Sequence, residues 1–384
     1  MSVIKKRIGI VGGGQLGKMM ILEAKRLGFY IVTLDPDPYC PSHSISDEHV
    51  VAGFSDMESY YKLAEKVDVI TYEFEHINTE ALGVLENDGH IIYPSVTSLK
   101  TIQNKYLQKS ALKESGVPVP KFGTVASAED IRRFGKKEHF GYPLMLKTTT
   151  GGYDGKGNAL INDEFEVDSA FSQLGGGIKE LMVEEFVPFD MEISVIACRG
   201  IDGIRVIYPV AENIHANSIL DTTIVPARIS KISMEKANEI ADRVMEVFEG
   251  VGTFCIELFV EKTGIVSVNE VAPRPHNSGH YTIEGCFVNQ FENHIRGITG
   301  LPFGCVDLIS PTVMVNLLGQ SDGTATLLGL EDAYCLPNVR VHFYGKSESK
   351  IDRKMGHFTV TDKTIDGAIE KARKIRQTVR VVGE

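Results

Sequence analysis

The sequence predicts an α/β domain of doubly wound, Rossmann-like type, then a larger α+β region and a small, β-rich C-terminal part. Three observations carry this expectation. Between Arg7 and Ser98, short apolar runs alternate with helical patterns. From Phe122 onward, strand-like runs are joined by glycine turns. A chain of 384 residues is also too long for one ordinary core, so two or three domains are expected.

The elements follow in order. Ile8–Val11, Ile31–Leu34, Val67–Tyr72 and Ile91–Tyr93 are apolar runs suited to parallel strands buried on both faces. Gln15–Leu27 and Met57–Lys66 have helical texture, with Ser55 expected to cap the second. This βαβ series ends near Pro94–Ser98. One helix is expected from Leu99 to Ser115, closed by Gly116, before Val-Pro-Val-Pro opens a new region. Pro143–Lys147, Leu181–Val187, Glu192–Arg199, Phe254–Val260 and Ile265–Val271 then read as strands. Lys262-Thr263-Gly264 makes the last two an antiparallel hairpin. Past Val306, several strand candidates precede a closing helix, Ile365–Thr378. The expected domains are 1–103, 104–303 (its flap-bearing part at about 121–188) and 304–384.

Composition narrows the function classes. Hydrophobic residues at 43% and charged residues at 24% describe a globular protein. A net charge of −11 opposes general nucleic-acid binding, yet a local Lys/Arg cluster could still hold an anionic small molecule. No segment has membrane-span length, and Arg7–Gly14 is too short and glycine-ended for a signal peptide. A cytoplasmic protein without a membrane partner is expected. The cysteines (Cys40, Cys198, Cys255, Cys286, Cys305, Cys335) show no C-x-x-C spacing, so they read mostly as small core hydrophobes.

Gly12-Gly13-Gly14-Gln15-Leu16-Gly17 fits G-x-G-x-x-G between strand and helix, and Asp35 stands near the spacing of a ribose-binding acid. By itself the loop does not choose between a dinucleotide and another phosphate, because helix N-terminal N–H groups hold either. Pro143–Lys147 ends in a lysine and runs into Thr148-Thr149-Thr150-Gly151-Gly152-Tyr153-Asp154-Gly155-Lys156-Gly157. Such a loop lets backbone approach phosphate oxygens, although the P-loop spacing is absent and a plain flexible hairpin is the rival reading. Glu257 and Glu270 lie on the two hairpin strands, with Asn269 beside the second. Acids within apolar strands are costly unless a cation compensates them, and two carboxylates suit Mg²⁺. Ala272-Pro273-Arg274-Pro275-His276-Asn277-Ser278-Gly279-His280 follows directly, crowded with anion-binding groups.

Together these stretches resemble the ATP-grasp superfamily, and within it the N5-carboxyaminoimidazole ribonucleotide synthetase family, over nearly the whole length. The resemblance rests on Gly12–Gly17, Tyr72-Glu73-Phe74-Glu75, Thr150–Gly157, Glu184-Glu185-Phe186-Val187, Asn269–His280, Tyr344-Gly345-Lys346 and Arg353-Lys354-Met355-Gly356-His357. It implies a pre-ATP-grasp domain, an ATP-grasp domain and a C-terminal domain of the rudiment single hybrid type. It also implies an ATP- and Mg²⁺-dependent ligase joining bicarbonate to the amine of 5-aminoimidazole ribonucleotide, acting as a homodimer.

By the same resemblance, Lys105 and Lys147 bind ATP phosphates beneath a flap of Gly152, Tyr153, Asp154, Gly155, Lys156, Gly157 and Asn158. Glu184, Glu185, Phe186 and Val187 form the adenine hinge, Glu192 takes the ribose, and His215 lies beside the nucleotide. Glu257 and Glu270 ligate Mg²⁺, with Asn269 alongside. Gly14, Gln15 and Leu16 hold the substrate's phosphate with Lys346 and Arg353, and Glu73 and Glu75 are further substrate contacts. Tyr153 and Asp154 face the aminoimidazole; Arg274, His276 and Asn277 position bicarbonate. Two departures stand out. Position 105 is Lys where the family more often has Arg, which keeps the charge but loses the fork. The Ser347–Asp352 loop leaves Lys350 and Lys354 as alternative matches to Arg353.

Overall fold

The structure, a computed structural model, describes residues 6–152 and 157–384. The N-terminal sheet is parallel, with Arg7–Val11 between Tyr30–Asp35 and Val69–Tyr72, as the apolar runs predict. Its outer strand, Glu48–Val51, escapes the sequence pattern because a half-exposed edge strand lacks a continuous apolar run. The expected strand at Ile91–Tyr93 contributes only a bridge, Ile92 beside Ile70. The helix Met57–Ala64 is capped by Asp56, whose carboxylate accepts from Glu58 N–H, and not by Ser55.

The single helix expected at Leu99–Ser115 is two, Val96–Gln103 and Lys105–Glu114. Asn104 between them has extended backbone, and its side chain accepts from Tyr106 and Leu107 N–H. An asparagine that satisfies two orphan donors starts a new helix more readily than it continues an old one.

The central sheet is antiparallel. Its order is Val266–Ala272, Gly252–Glu261, Phe189–Arg199, Ala211–Ala216, Ile219–Val225, Thr312–Leu318, Lys354–Thr361, Val339–Phe343. Three C-terminal strands thus extend it without a break near residue 304. A smaller antiparallel sheet (Phe122–Val125, Leu181–Glu185, Leu144–Thr148, Asn158–Ile161) carries the flap. Among the described residues, no helix is long and apolar enough to cross a membrane.

The helix Lys231–Phe248 buries Ala237, Ile240, Ala241, Val244 and Met245 against Phe254, Ile256, Leu258 and Val260 of the central sheet. The sheet's outermost strand, Val266–Ala272, has its free edge covered. Val268 N–H donates to the Pro118 carbonyl, and Gln108 bonds both backbone groups of Val271 (2.9 and 3.1 Å). Gln108 also donates to the Ile102 carbonyl, so one buried amide joins both helices to the strand that bears Glu270. Gln108→Ala should therefore lower unfolding stability by about 2–4 kcal/mol, the cost of leaving such groups unpaired, as read from denaturant titration.

Candidate active site

A cavity of about 660 Å³ is lined from both the flap-bearing and the central sheet. On Gly252–Glu261, alternation sends Phe254, Ile256, Leu258 and Val260 into the core and turns Cys255, Glu257 and Phe259 the other way. Glu257 and Phe259 line the cavity. The neighbouring strand carries a bulge. Glu257 stands opposite Glu270 but Leu258 stands opposite Val268, leaving Asn269 as the extra residue. Simple alternation would put Glu270 on the core face with Val268. The bulge instead returns Val271 to the core and presents Asn269, Glu270 and Ala272 to the cavity.

Cations approach from two other elements. On Leu144–Thr148, Leu144 and Leu146 enter the small sheet's core while Met145 and Lys147 line the cavity. Glu184 is held between Lys147 (2.8 Å) and Lys109 (3.3 Å), all three buried. Lys105, the first residue of its helix, pairs with Glu270. Lys105 and Lys109 are four apart on one helix face, a spacing that could have flagged Lys109 from sequence. Farther along the cavity, His215 Nδ1 meets Glu192 Oε2 at 2.7 Å, and Arg274 forks onto Glu75, with Nη2 3.0 Å from Oε1.

These pairings set the charges. Burial alone would raise Glu270, but Lys105 and Lys147 hold it below its ordinary range. Burial is likewise outweighed at Glu184 by its two lysines, and at Glu75 by Arg274, which brings it to about 2. Lys109 is lowered to about 8 by burial and by Lys147. Glu257 is the exception: burial and the Glu270 charge raise it to about 7. Its nearest basic neighbour among the described residues is His276, 3.6 Å away and held neutral by burial.

The predicted residues divide into three groups. Lys147, Gly152, Asn158, Glu184, Glu185, Phe186, Val187, Glu192, His215, Glu257, Asn269, Glu270, Arg274, His276, Asn277 and Glu75 line one cavity. Tyr153, Asp154, Gly155 and Lys156 lie outside the described residues; Gly157, at φ +89°, bonds back to Thr148. Lys105, which pairs with Glu270, and Gly14, Gln15, Leu16, Glu73, Lys346 and Arg353 are not among its lining residues. Arg353 donates to the Glu348 carbonyl, whereas Lys354, the alternative match, lines the cavity. Phe189, Leu220 and Phe259 also line it; sequence pattern does not distinguish them from core residues.

The glycine loop differs from expectation. Glu73 is buried against it and accepts from Gly14 and Gly17 N–H, each at 2.7 Å. Asp35 accepts from Gly13 N–H (2.7 Å), so the acid read as a ribose ligand is turned into the loop. Gly12 has φ +100°, and a Cβ on Gly17 would come within 2.5 Å of the Gly12 carbonyl. Lys346 lies near enough to bias Glu73, and burial, Arg353 and Lys354 lower Lys346 itself to about 8.

With a two-carboxylate hairpin sharing a cavity with Lys147 of a separate small sheet, and Lys105 and Lys109 on a helix beside them, the chain is an ATP-grasp ligase. The ATP-grasp domain family matches residues 110–291, the ribonucleotide synthetase preATP-grasp domain 5–103, and the phosphoribosylaminoimidazole carboxylase C-terminal domain 312–371. N5-carboxyaminoimidazole ribonucleotide synthase of Bacillus subtilis (strain 168) is 40% identical over 364 residues, covering 95% of this chain and 93% of the relative. The crystal structure of the Thermotoga maritima synthetase superposes with a TM-score of 0.90 at 45% identity, covering 99% of this chain and 100% of that one. The Aspergillus clavatus synthase in complex with ADP and 5-aminoimidazole ribonucleotide gives 0.90 at 34% identity, covering 98% of each chain. The chain belongs to the N5-carboxyaminoimidazole ribonucleotide synthase family.

The raised carboxyl makes a signed prediction. Burial and Glu270 raise Glu257 to about 7 in the folded chain against an ordinary 4.5, so its cost to stability is absent below 4.5, grows as the pH rises toward 7 and is complete above it. Without divalent cations, Glu257→Gln should gain roughly 1–3 kcal/mol over wild type at pH 8. The gain should vanish toward pH 4.5 in thermal unfolding.

Proposed function

We propose that the chain carboxylates the amine of 5-aminoimidazole ribonucleotide with ATP and bicarbonate, forming N5-carboxyaminoimidazole ribonucleotide, ADP and phosphate in purine biosynthesis. The observation that carries this reading is that Lys147, Glu184, Glu257 and Glu270 line one cavity, with Lys105 paired to Glu270 and Lys109 to Glu184 behind them, in a chain of this family. The lysines would neutralise ATP phosphates, the Glu184–Val187 stretch would border adenine, and Glu192 with His215 would meet the ribose.

Mg²⁺ fits the carboxylate pair. Glu257 and Glu270 are hard oxygen ligands opposite one another, and the first is left with an uncompensated tendency to keep its proton. Together they would hold the ion, which supplies charge neutralisation to the phosphates when bound. Lys105 would then release Glu270 and turn to phosphate.

A bicarbonate oxygen would attack the γ-phosphorus, breaking its bond to ADP and giving carboxyphosphate. The substrate amine would attack the carboxyl carbon, phosphate would leave, and Asp154 would accept the amine proton with Tyr153 orienting it. Arg274, fixed by Glu75, with His276 and Asn277 would position bicarbonate. Carboxyphosphate is labile in water, so the Gly152–Asn158 flap would exclude solvent until capture.

The substrate's 5′-phosphate would sit on Gln15 and Leu16 N–H, whose first-turn position leaves them without intrahelical acceptors. Lys346 would assist, and Glu73 would brace the loop from behind. Bicarbonate, a homodimer and a cytoplasmic setting follow from the family resemblance alone.

The direct test is ADP release with bicarbonate and the imidazole ribonucleotide added separately and together; release that ignores both would overturn the reading. Glu270→Ala should abolish ADP release while the protein still unfolds cooperatively, and normal release would remove the ion-binding role. Lys346→Met should raise KM for the ribonucleotide about 10–100-fold, the scale of a lost charge-assisted bond, with KM for ATP unchanged.

A further inference from the structure

Cys255, Glu257 and His276 bring a sulfur, a carboxylate oxygen and an imidazole nitrogen within 4.8 Å of one another. Cys255 and Glu257 are two apart on one strand and share a face; His276 comes from the loop beyond the partner strand. We propose that these three side chains form a site for a thiophilic transition-metal ion of the Zn²⁺ class, distinct in ligand set from the Mg²⁺ position and competing with it through Glu257.

Three features support the assignment. Cys, His and carboxylate in a three-ligand set with an open fourth position is the donor chemistry of zinc, and a sulfur ligand disfavours magnesium. Tetrahedral zinc sets neighbouring donor atoms about 3.3–3.6 Å apart. Glu257 Oε1 and His276 Nε2 already stand at 3.6 Å, so mainly the sulfur has to move inward.

The surroundings are also fitted to the ligands. Ser278 Oγ lies 2.9 Å from His276 Nδ1 and 3.5 Å from Cys255 Sγ, and is itself bonded by Ser194 Oγ at 2.9 Å. A single buried hydroxyl thus contacts two of the three ligands. In the metal-free chain Nδ1 accepts from Ser278 N–H (3.3 Å), which places the ring proton on Nε2; an ion at Nε2 would move that proton to Nδ1, where Ser278 Oγ can accept it. The charges close as well. Binding releases the thiol proton, and the proton of Glu257 where it is still held, to solvent; thiolate, carboxylate and neutral imidazole then cancel the charge of the ion. A neutral assembly is what a buried position requires. Glu257 and His276 line the cavity and give the ion its entry, with the Cys255 sulfur behind them.

Competition with magnesium rests on the proposed function, whereas binding itself does not, and the test separates them. Co²⁺ is titrated into the full chain without nucleotide or substrate, with the exposed Cys305 and Cys335 replaced by Ser to remove other accessible thiols. A thiolate-to-cobalt band in the near ultraviolet is expected at one equivalent, together with the visible bands of a tetrahedral ion. Zn²⁺ should displace the cobalt.

Cys255→Ser keeps the side-chain volume and should lose the near-ultraviolet band. Its Mg²⁺-supported ADP release should persist, and inhibition by Zn²⁺ should weaken about tenfold or more, the scale of losing one oriented contact of a metal site. Cys255→Ala should behave alike, which guards against a folding defect of either variant. Absence of the band in the parent, or its survival in a folded Cys255 variant, overturns the site. A band lost on substitution while Zn²⁺ inhibition is unchanged keeps the site and removes the competition.

Discussion

Two carboxylates facing each other across adjacent strands are the constraint around which this molecule is arranged. Glu257 and Glu270 are directly opposite in an otherwise apolar hairpin, a placement that like charge and burial both disfavour. The fold answers from a distance in sequence. A helix break at Asn104 starts a new helix whose first residue, Lys105, reaches Glu270. One turn later Lys109 joins Lys147 on Glu184. Relief is deliberately uneven: Glu270 is held ionised, while Glu257 stays near 7. The wall thus keeps one acid that no lysine or arginine pairs with among the described residues.

The glycine loop shows the same economy of charge. Helix N-terminal N–H groups donate to any anion, and here those of Gly14 and Gly17 already donate to Glu73, while Gly13 N–H just before them donates to Asp35. The loop is thereby braced from within, and the first-turn N–H groups of Gln15 and Leu16 are left without an intrahelical acceptor. A dinucleotide site requires a ribose acid facing outward, which Asp35 is not.

Continuity of the central sheet decides how the C-terminal region contributes. Thr312–Leu318 pairs with Ile219–Val225 on one side and with Lys354–Thr361 on the other. Lys354 is therefore delivered to the cavity wall by strand pairing and not by docking of a separate body. Lys18, on the first helix, donates to the Tyr344 carbonyl and ties the glycine-loop helix to the same region.

Much of this was legible in the residues. Parallel strands follow from apolar runs, the hairpin from its Lys-Thr-Gly turn, and the lysine, the acids and the polar loop from their types and order. Local pattern fails where one residue changes the phase or where partners lie far apart in the chain. Alternation alone would bury Glu270, and only the bulge at Asn269 turns it to the cavity. The helix break at Asn104, the capture of Glu73 by the glycine loop and the gathering of Cys255, Glu257 and His276 are likewise invisible to periodicity. Sequence by itself determined which chemical groups were available and in what elements. Tertiary structure decided which charges face one another, because Coulomb energy and desolvation depend on distance in space, and spacing along the chain does not encode it.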